Sequence, residues 1–275
     1  MANLQRFTGK TVIVTGSSTG IGEAIARRFH DEGANVVINA RNAEKCAGVA
    51  ASLDAERTLV VAGDVSKSDF ANEIVAKTVE RFGGLDCLVN NAGVGGGGIL
   101  HKADDAEIDR IIDINVKGVI YLSRAAIPHL IETKGSIVNI SSVSGTGGDS
   151  MLPIYNASKG AVTNLTRGLA LQLGAKGVRV NAINPSVTRS DMVDEITGNE
   201  MAMKMVLNRM ALKRVGEPED IAAATAFLAS DVVLHGTTCD VRGAGSTDMQ
   251  STAINACRVT LECCCPAQCH VRQND

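Results

Sequence analysis

The sequence predicts one α/β domain built on a doubly wound parallel sheet, and three observations carry that reading. Short β-branched runs alternate with longer helical patterns along the chain, as in strands joined by crossover helices. The runs have the composition of buried strands. Glycine, asparagine, serine and proline follow their carboxyl ends at Gly16, Asn91, Ser142 and Pro185, where open sheets of this kind bind ligands.

Composition narrows the classes. A chain of 275 residues with 45% apolar and 21% charged content can bury one sizeable core. A net charge of −3 argues against nucleic acid or an acidic membrane as partner. No apolar stretch approaches the ~18 residues of a membrane span, and Met1–Arg6 lacks the apolar core of a signal peptide. A cytoplasmic protein is expected. Only Cys46 and Cys87 precede residue 239, so the body is not a disulfide scaffold. No repeat or linker divides it.

The first strand is Thr11–Thr15. Gly16-Ser17-Ser18-Thr19-Gly20-Ile21-Gly22 follows and opens a helix over 20–32. Strand, glycine-rich turn and helix form a phosphate cradle, because backbone can approach closely and the helix start offers unpaired N–H groups and a positive dipole end. Gly16, Ser18, Gly20, Ile21 and Gly22 are its candidate contacts. The spacing is G-x-x-x-G-x-G, unlike the commoner G-x-G-x-x-G. Strands Asn35–Asn39 and Thr58–Ala62 and helices over 43–53 and 67–82 come next. The strand Cys87–Asn90 runs into Asn91-Ala92-Gly93, and then into Gly95–Gly98, read as a solvated connector or a mobile loop.

One helix is predicted over 104–132, then the strand Ser136–Ser141, a helix over 155–174, the strand Arg179–Ile183, a helix over 218–229 and a weak strand Thr237–Val241. Tyr155 and Lys159 stand at i and i+4, on one helical face. A tyrosine ordinarily titrates near pH ~10, so trading protons near neutrality requires roughly 4 kcal/mol of differential stabilisation of its anion. A neighbouring ammonium contributes to that.

Thr15-Gly16-x-x-x-Gly20-Ile21-Gly22, Asn90-Asn91-Ala92-Gly93, Asn115, Ser142, Tyr155 and Lys159 occur in an order and spacing that resembles the short-chain dehydrogenase/reductases. The resemblance runs from about Lys10 to Ser230 and matches the plain single-domain type. It implies a Rossmann-like fold and hydride transfer between a nicotinamide cofactor and a secondary alcohol or ketone. Tyr155 would be the general acid/base, and Lys159 would bind the nicotinamide ribose and lower the tyrosine's pKa. Ser142 would hold the substrate oxygen, and Asn115 would position a water in a proton relay. A 3-oxoacyl-[acyl-carrier-protein] reductase is the rival within the class, and a catalytically impaired cofactor-binding protein the rival outside it.

NAD-preferring relatives usually carry Asp where Ala40 stands, and Arg41 follows it here. A guanidinium suits the 2′-phosphate of NADP; NAD remains the alternative, with Arg41 then an ordinary surface arginine. Asp64 and Val65 resemble the family's adenine contact, although Asp64 also reads as a helix-start residue. Asn91, Ala92 and Gly93 are cofactor-adjacent. Pro185, Val187 and Thr188 are expected near the nicotinamide carboxamide, with Ser186 where the family has glycine. The partner implied is a small carbonyl or alcohol, and the assembly a homo-oligomer, tetramer or dimer.

Residues 186–212 are expected as a lid carrying Met192, Met201, Met203, Met205 and Met210, with Met151 facing them. No Arg or Lys lies on 143–153, so a strongly anionic small substrate is not expected, although Arg189 and Lys204 could receive a carrier phosphopantetheine. The catalytic domain is read as 1–245 and residues 246–275 as an atypical cysteine-rich tail, poorly ordered. Cys263, Cys264 and Cys265 are adjacent and cannot all face one ion, so no metal is expected.

Overall fold

The computed structural model describes residues 5–190, 200–208, 210, 212–233, 238–241 and 258–260. Eight strands form one sheet in the order β3-β2-β1-β4-β5-β6-β7-β8. They are β1 Thr11–Thr15, β2 Asn35–Asn39, β3 Thr58–Val60, β4 Cys87–Asn90, β5 Ser136–Ile140, β6 Arg179–Pro185, β7 Thr238–Val241 and β8 Arg258–Thr260. All neighbours through β7 pair in parallel. β8 pairs antiparallel with β7. This strand falls in the segment expected to be poorly ordered; the rest of that segment, with its cysteine run, lies outside the described residues.

The helices are α1 Gly20–Asp31, α2 Ala43–Ala50, α3 Ser68–Phe82, α4 Asp105–Ile112, α5 Gly118–Thr133, α6 Ser144–Gly147, α7 Pro153–Leu173, α8 Glu200–Asn208 and α9 Pro218–Ala229. Strand side chains alternate between the two faces of the sheet. Val12, Val14, Val36 and Ile38 therefore pack with Ile25 and Phe29 of α1 and Ile221 and Ala226 of α9. Ile13, Val37, Leu88 and Ile137 pack with Ile74 of α3, Leu122 and Leu130 of α5, and Leu173 of α7. Both faces are covered, which is why the strands are apolar along their length. Among the described residues no helix is long and apolar enough to cross a membrane.

Several predicted elements change on folding: β3 ends at Val60 instead of Ala62, and α2 ends at Ala50 instead of 53. The single helix expected over 104–132 is interrupted by a π turn at Asp113–Lys117 between α4 and α5. β6 extends two residues past its predicted end, to Pro185, because Asn184 and Pro185 continue in parallel register with β7. Strand order reverses at β1 and β4, and the crevice that such a reversal opens is where an α/β sheet places its ligand site.

Candidate active site

The turn after β1 is shaped by what its residues lack. A Cβ on Gly22 would lie 2.1 Å from the Gly16 carbonyl oxygen, and one on Gly16 would lie 2.9 Å from Ala92 Cα. Gly16 and Gly20 also hold positive φ, 64° and 55°, which glycine adopts without penalty. Asn91 ties this turn to β4, its Nδ2 donating to the carbonyls of Thr15 (2.8 Å) and Gly16 (3.2 Å). The Thr15 hydroxyl accepts from the backbone N–H groups of Asn91 and Ala92, both at 3.0 Å. Thr15 is thus part of the scaffold, a role the motif alone did not reveal. The Thr19 side chain does not cap α1, which leaves the first-turn N–H groups without a capping side chain.

The second part of the site is the start of α7. Ser142, two residues past β5, neighbours the Tyr155 hydroxyl, and its own hydroxyl accepts from the Ser144 backbone N–H at 3.1 Å. Lys159 is buried, its Nζ donating to the Ile140 carbonyl at 2.9 Å and standing 5.7 Å from the centre of the Tyr155 ring. Burial pulls the lysine down to about 8. Tyr155 moves opposite to expectation: burial raises its pKa, and the neighbouring Ser142 hydroxyl only partly offsets this. Desolvation disfavours the phenolate, and the nearby ammonium does not reverse that in the protein alone.

Asn115 sits fully buried in the π turn. Its Oδ1 accepts from Val94 N–H at 2.8 Å, and its Nδ2 donates to Val94 O at 2.9 Å and to Ser158 Oγ at 3.0 Å. Ser158 in turn donates to the Tyr155 carbonyl at 2.7 Å. The Asn115 side chain is thereby committed to the protein, and any water it orients must meet its backbone. The π turn offers that, since i→i+5 pairing disturbs the regular ladder of carbonyls. Ser158 is a second residue missed in the sequence; a buried serine between Tyr155 and Lys159 was its one signal.

These parts adjoin. A Cβ on Gly93 would lie 3.3 Å from both Asn115 Oδ1 and Lys159 Nζ, and one on Gly20 would lie 3.4 Å from Ser190 Cβ. After β6, Val187 O accepts from Gly216 N–H at 3.0 Å, and the buried Thr188 donates to Ser186 O at 3.0 Å. Ser186 needs no positive φ, so serine is tolerated where the family has glycine. Pro185 is buried, and its carbonyl accepts from Val143 N–H at 3.1 Å.

Arg41 is exposed just beyond β2. Asp64 accepts from Ser66 N–H at 2.9 Å, a local turn that uses one carboxylate oxygen, and Val65 is buried in the core. Among the methionines, Met151 and Met201 are exposed and Met210 is buried, while Met192 lies outside the described residues. Arg189 pairs with Glu217 at 3.2 Å, and Lys204 is exposed.

Comparison with known proteins agrees with this geometry. A family model described as enoyl-(acyl carrier protein) reductase matches residues 16–243. A solved structure titled short-chain dehydrogenase/reductase, from Brucella melitensis, superposes with a TM-score of 0.83 at 37% identity, over 86% of this chain and 97% of that one. The chain belongs to the short-chain dehydrogenase/reductase family.

This short-chain dehydrogenase/reductase is 44% identical over 227 residues to meso-2,3-butanediol dehydrogenase of Serratia marcescens, covering 82% of this chain and 89% of that protein. It is 37% identical over 240 residues to a 3-oxoacyl-[acyl-carrier-protein] reductase of Rickettsia prowazekii, covering 86% and 97%. A 3-ketoacyl-(acyl-carrier-protein) reductase from Brucella melitensis, solved in complex with NADH, superposes with a TM-score of 0.80 at 33% identity, over 86% of this chain and 98% of that one. The protein is a nicotinamide-dependent oxidoreductase acting on secondary alcohols and ketones. Its residues fit such a cofactor: the Gly16–Gly22 turn is a cradle that a Cβ would fill.

Proposed function

We propose that this enzyme interconverts a small, uncharged hydroxyketone or diol and its carbonyl partner, with NADP as preferred cofactor. The observation that carries the reading is the convergence of Ser142, Tyr155 and Lys159, with the Ser142 hydroxyl beside the phenol and the ammonium 5.7 Å from the ring centre. Bound nicotinamide supplies the hydride to the carbonyl carbon, or accepts it in the reverse direction. Tyr155 passes its phenolic proton to the substrate oxygen, which Ser142 holds. Lys159 orients the ribose and supports the phenolate left behind. Asn115, through the backbone of its π turn, orients water that returns a proton.

Gly16, Ser18, Gly20, Ile21 and Gly22 would hold the pyrophosphate. Asp64 and the backbone of Val65 would meet the adenine, Asn91, Ala92 and Gly93 would flank the nicotinamide ribose, and Pro185, Val187 and Thr188 would meet the carboxamide. Arg41 supports NADP, because it is exposed beyond β2 and follows an alanine where a carboxylate would favour NAD. The absence of Arg and Lys from 143–153 supports an uncharged substrate. The Arg189–Glu217 pair weakens a carrier-thioester reading. A cytoplasmic homo-oligomer is inferred, the exposed Ile120 of α5 and Leu171 of α7 being suited to contact another copy.

The test is cofactor oxidation across a panel of small hydroxyketones, sugars, steroids and 3-oxoacyl thioesters, with NADPH and NADH compared. Arg41→Asp should lower kcat/KM with NADPH by about tenfold or more, one lost charge-assisted contact being worth ~1.5–3 kcal/mol. A parent enzyme that already prefers NADH, or is fastest on the acyl thioester, overturns the corresponding half of the reading.

A further inference from the structure

Beside the proposed acid/base runs a segment without side chains. Gly95–Gly98 continues directly from Gly93, which adjoins Asn115 and Lys159, and from Val94, which Asn115 holds through both its N–H and its carbonyl. Four successive glycines have the most conformational freedom to lose on folding. Yet Gly96, Gly97 and Gly98 adopt defined positive φ values of 119°, 95° and 46°, and something must hold them there.

That something is on α4. Arg110 forms a two-pronged pair with Glu107, Nε to Oε2 at 2.7 Å and Nη2 to Oε1 at 2.8 Å. The same Nη2 donates to the Gly95 carbonyl at 3.0 Å. Arg110, and to a smaller degree the backbone N–H of Gly97, hold the Glu107 carboxyl below its usual range. Gly97 then rests on apolar side chains: a Cβ there would lie 3.1 Å from Ile154 and 3.2 Å from Ile111. Ile154 immediately precedes Tyr155.

We propose that Glu107 and Arg110 act together as a positioning clamp that seats the glycine run on Ile154, and so sets the width of the substrate opening beside Tyr155. It is a specificity device that acts through the loop and touches no reacting atom, and it rests on the reading of Tyr155 as the acid/base. The pair is partly exposed, so it contributes little to global stability. Its effect is on where the loop stands.

The experiment uses the full chain carrying Glu107→Ala, Arg110→Ala, both together, and Glu107→Gln. Steady-state kinetics with the best carbonyl of the panel are read beside hydrogen exchange of the backbone amides of 94–99. The expected result is a rise of about 10-fold to 100-fold in KM for the carbonyl, the scale a misplaced wall produces. Both kcat and the KM for cofactor should stay within about twofold, and loop exchange should quicken about tenfold. The double variant should match either single one, because the two residues act as a unit. Glu107→Gln keeps an acceptor oxygen and should fall between parent and alanine variant. Unchanged carbonyl KM with unchanged exchange overturns the clamp, and so does an additive double variant. Faster exchange in a chain whose parent turns over no carbonyl overturns the catalytic reading and, with it, the substrate role, while loop positioning stands.

Discussion

The Gly16–Gly22 turn and the first turns of α7 border one crevice, and they are built on opposite principles. In the turn, function depends on missing atoms: a Cβ at Gly22 or Gly16 would strike backbone. On α7, function depends on polar groups wholly or partly withdrawn from water, a half-buried tyrosine raised and a buried lysine lowered by desolvation. The turn is guarded by sterics and tolerates almost no addition. The helix face is governed by electrostatics, where a change of the same size alters chemistry while leaving shape intact.

The largest effect should come from breaking the electrostatic half. Tyr155→Phe removes one oxygen and keeps the ring, so cofactor binding should survive while kcat falls by about 10²–10⁴-fold. The raised pKa of Tyr155 keeps it protonated through neutrality. Carbonyl reduction should therefore hold from mildly acidic to neutral pH, and alcohol oxidation should climb on the alkaline side. Retention of most activity in the phenylalanine variant would place the proton donor elsewhere.

Lys159→Met sharpens the contrast, because activity and stability should move in opposite directions. The buried lysine titrates at about 8, against ~10.4 in an unfolded chain. Below pH 8 both states are protonated, and the folded state carries the full penalty of the buried charge, at most about 3 kcal/mol. Between pH 8 and ~10.4 the folded state has released its proton while the unfolded state still binds it, so stability rises with pH. The methionine variant should be inactive, more stable than its parent in urea at pH 7, and lack that alkaline rise. Equal or lower stability at pH 7 would show the lysine is not strained by burial.

The smallest effect, and the cleanest probe of the steric half, pairs Gly22→Ala with Gly48→Ala. A Cβ on Gly22 meets Gly16 O at 2.1 Å and Asn91 Nδ2 at 2.5 Å, whereas one on Gly48 meets nothing within 4 Å. Gly22→Ala should cost about 1–3 kcal/mol through overpacking and weaken cofactor binding. Gly48→Ala, inside α2, should stabilise by about 0.5–1 kcal/mol. Chemical denaturation and cofactor titration check both; equal behaviour of the two would remove the steric account.

Local pattern alone determined much of this protein. The apolar runs mark β1, β2 and β4 residue for residue, because burial on both faces demands such composition. The glycine turn opening a helix, and the i, i+4 spacing of Tyr155 and Lys159, are likewise readable within a few neighbouring residues. Tertiary structure decided the rest, through contacts between distant positions. The π turn that splits the expected 104–132 helix coincides with Asn115 bonding to Val94 and to Ser158, 21 and 43 residues away. The glycine run read as a connector is held by Arg110, 15 residues on. The direction of the Tyr155 shift follows from desolvation, which no spacing encodes: a pattern shows which groups can meet, and only the packed chain decides how much water they lose on meeting.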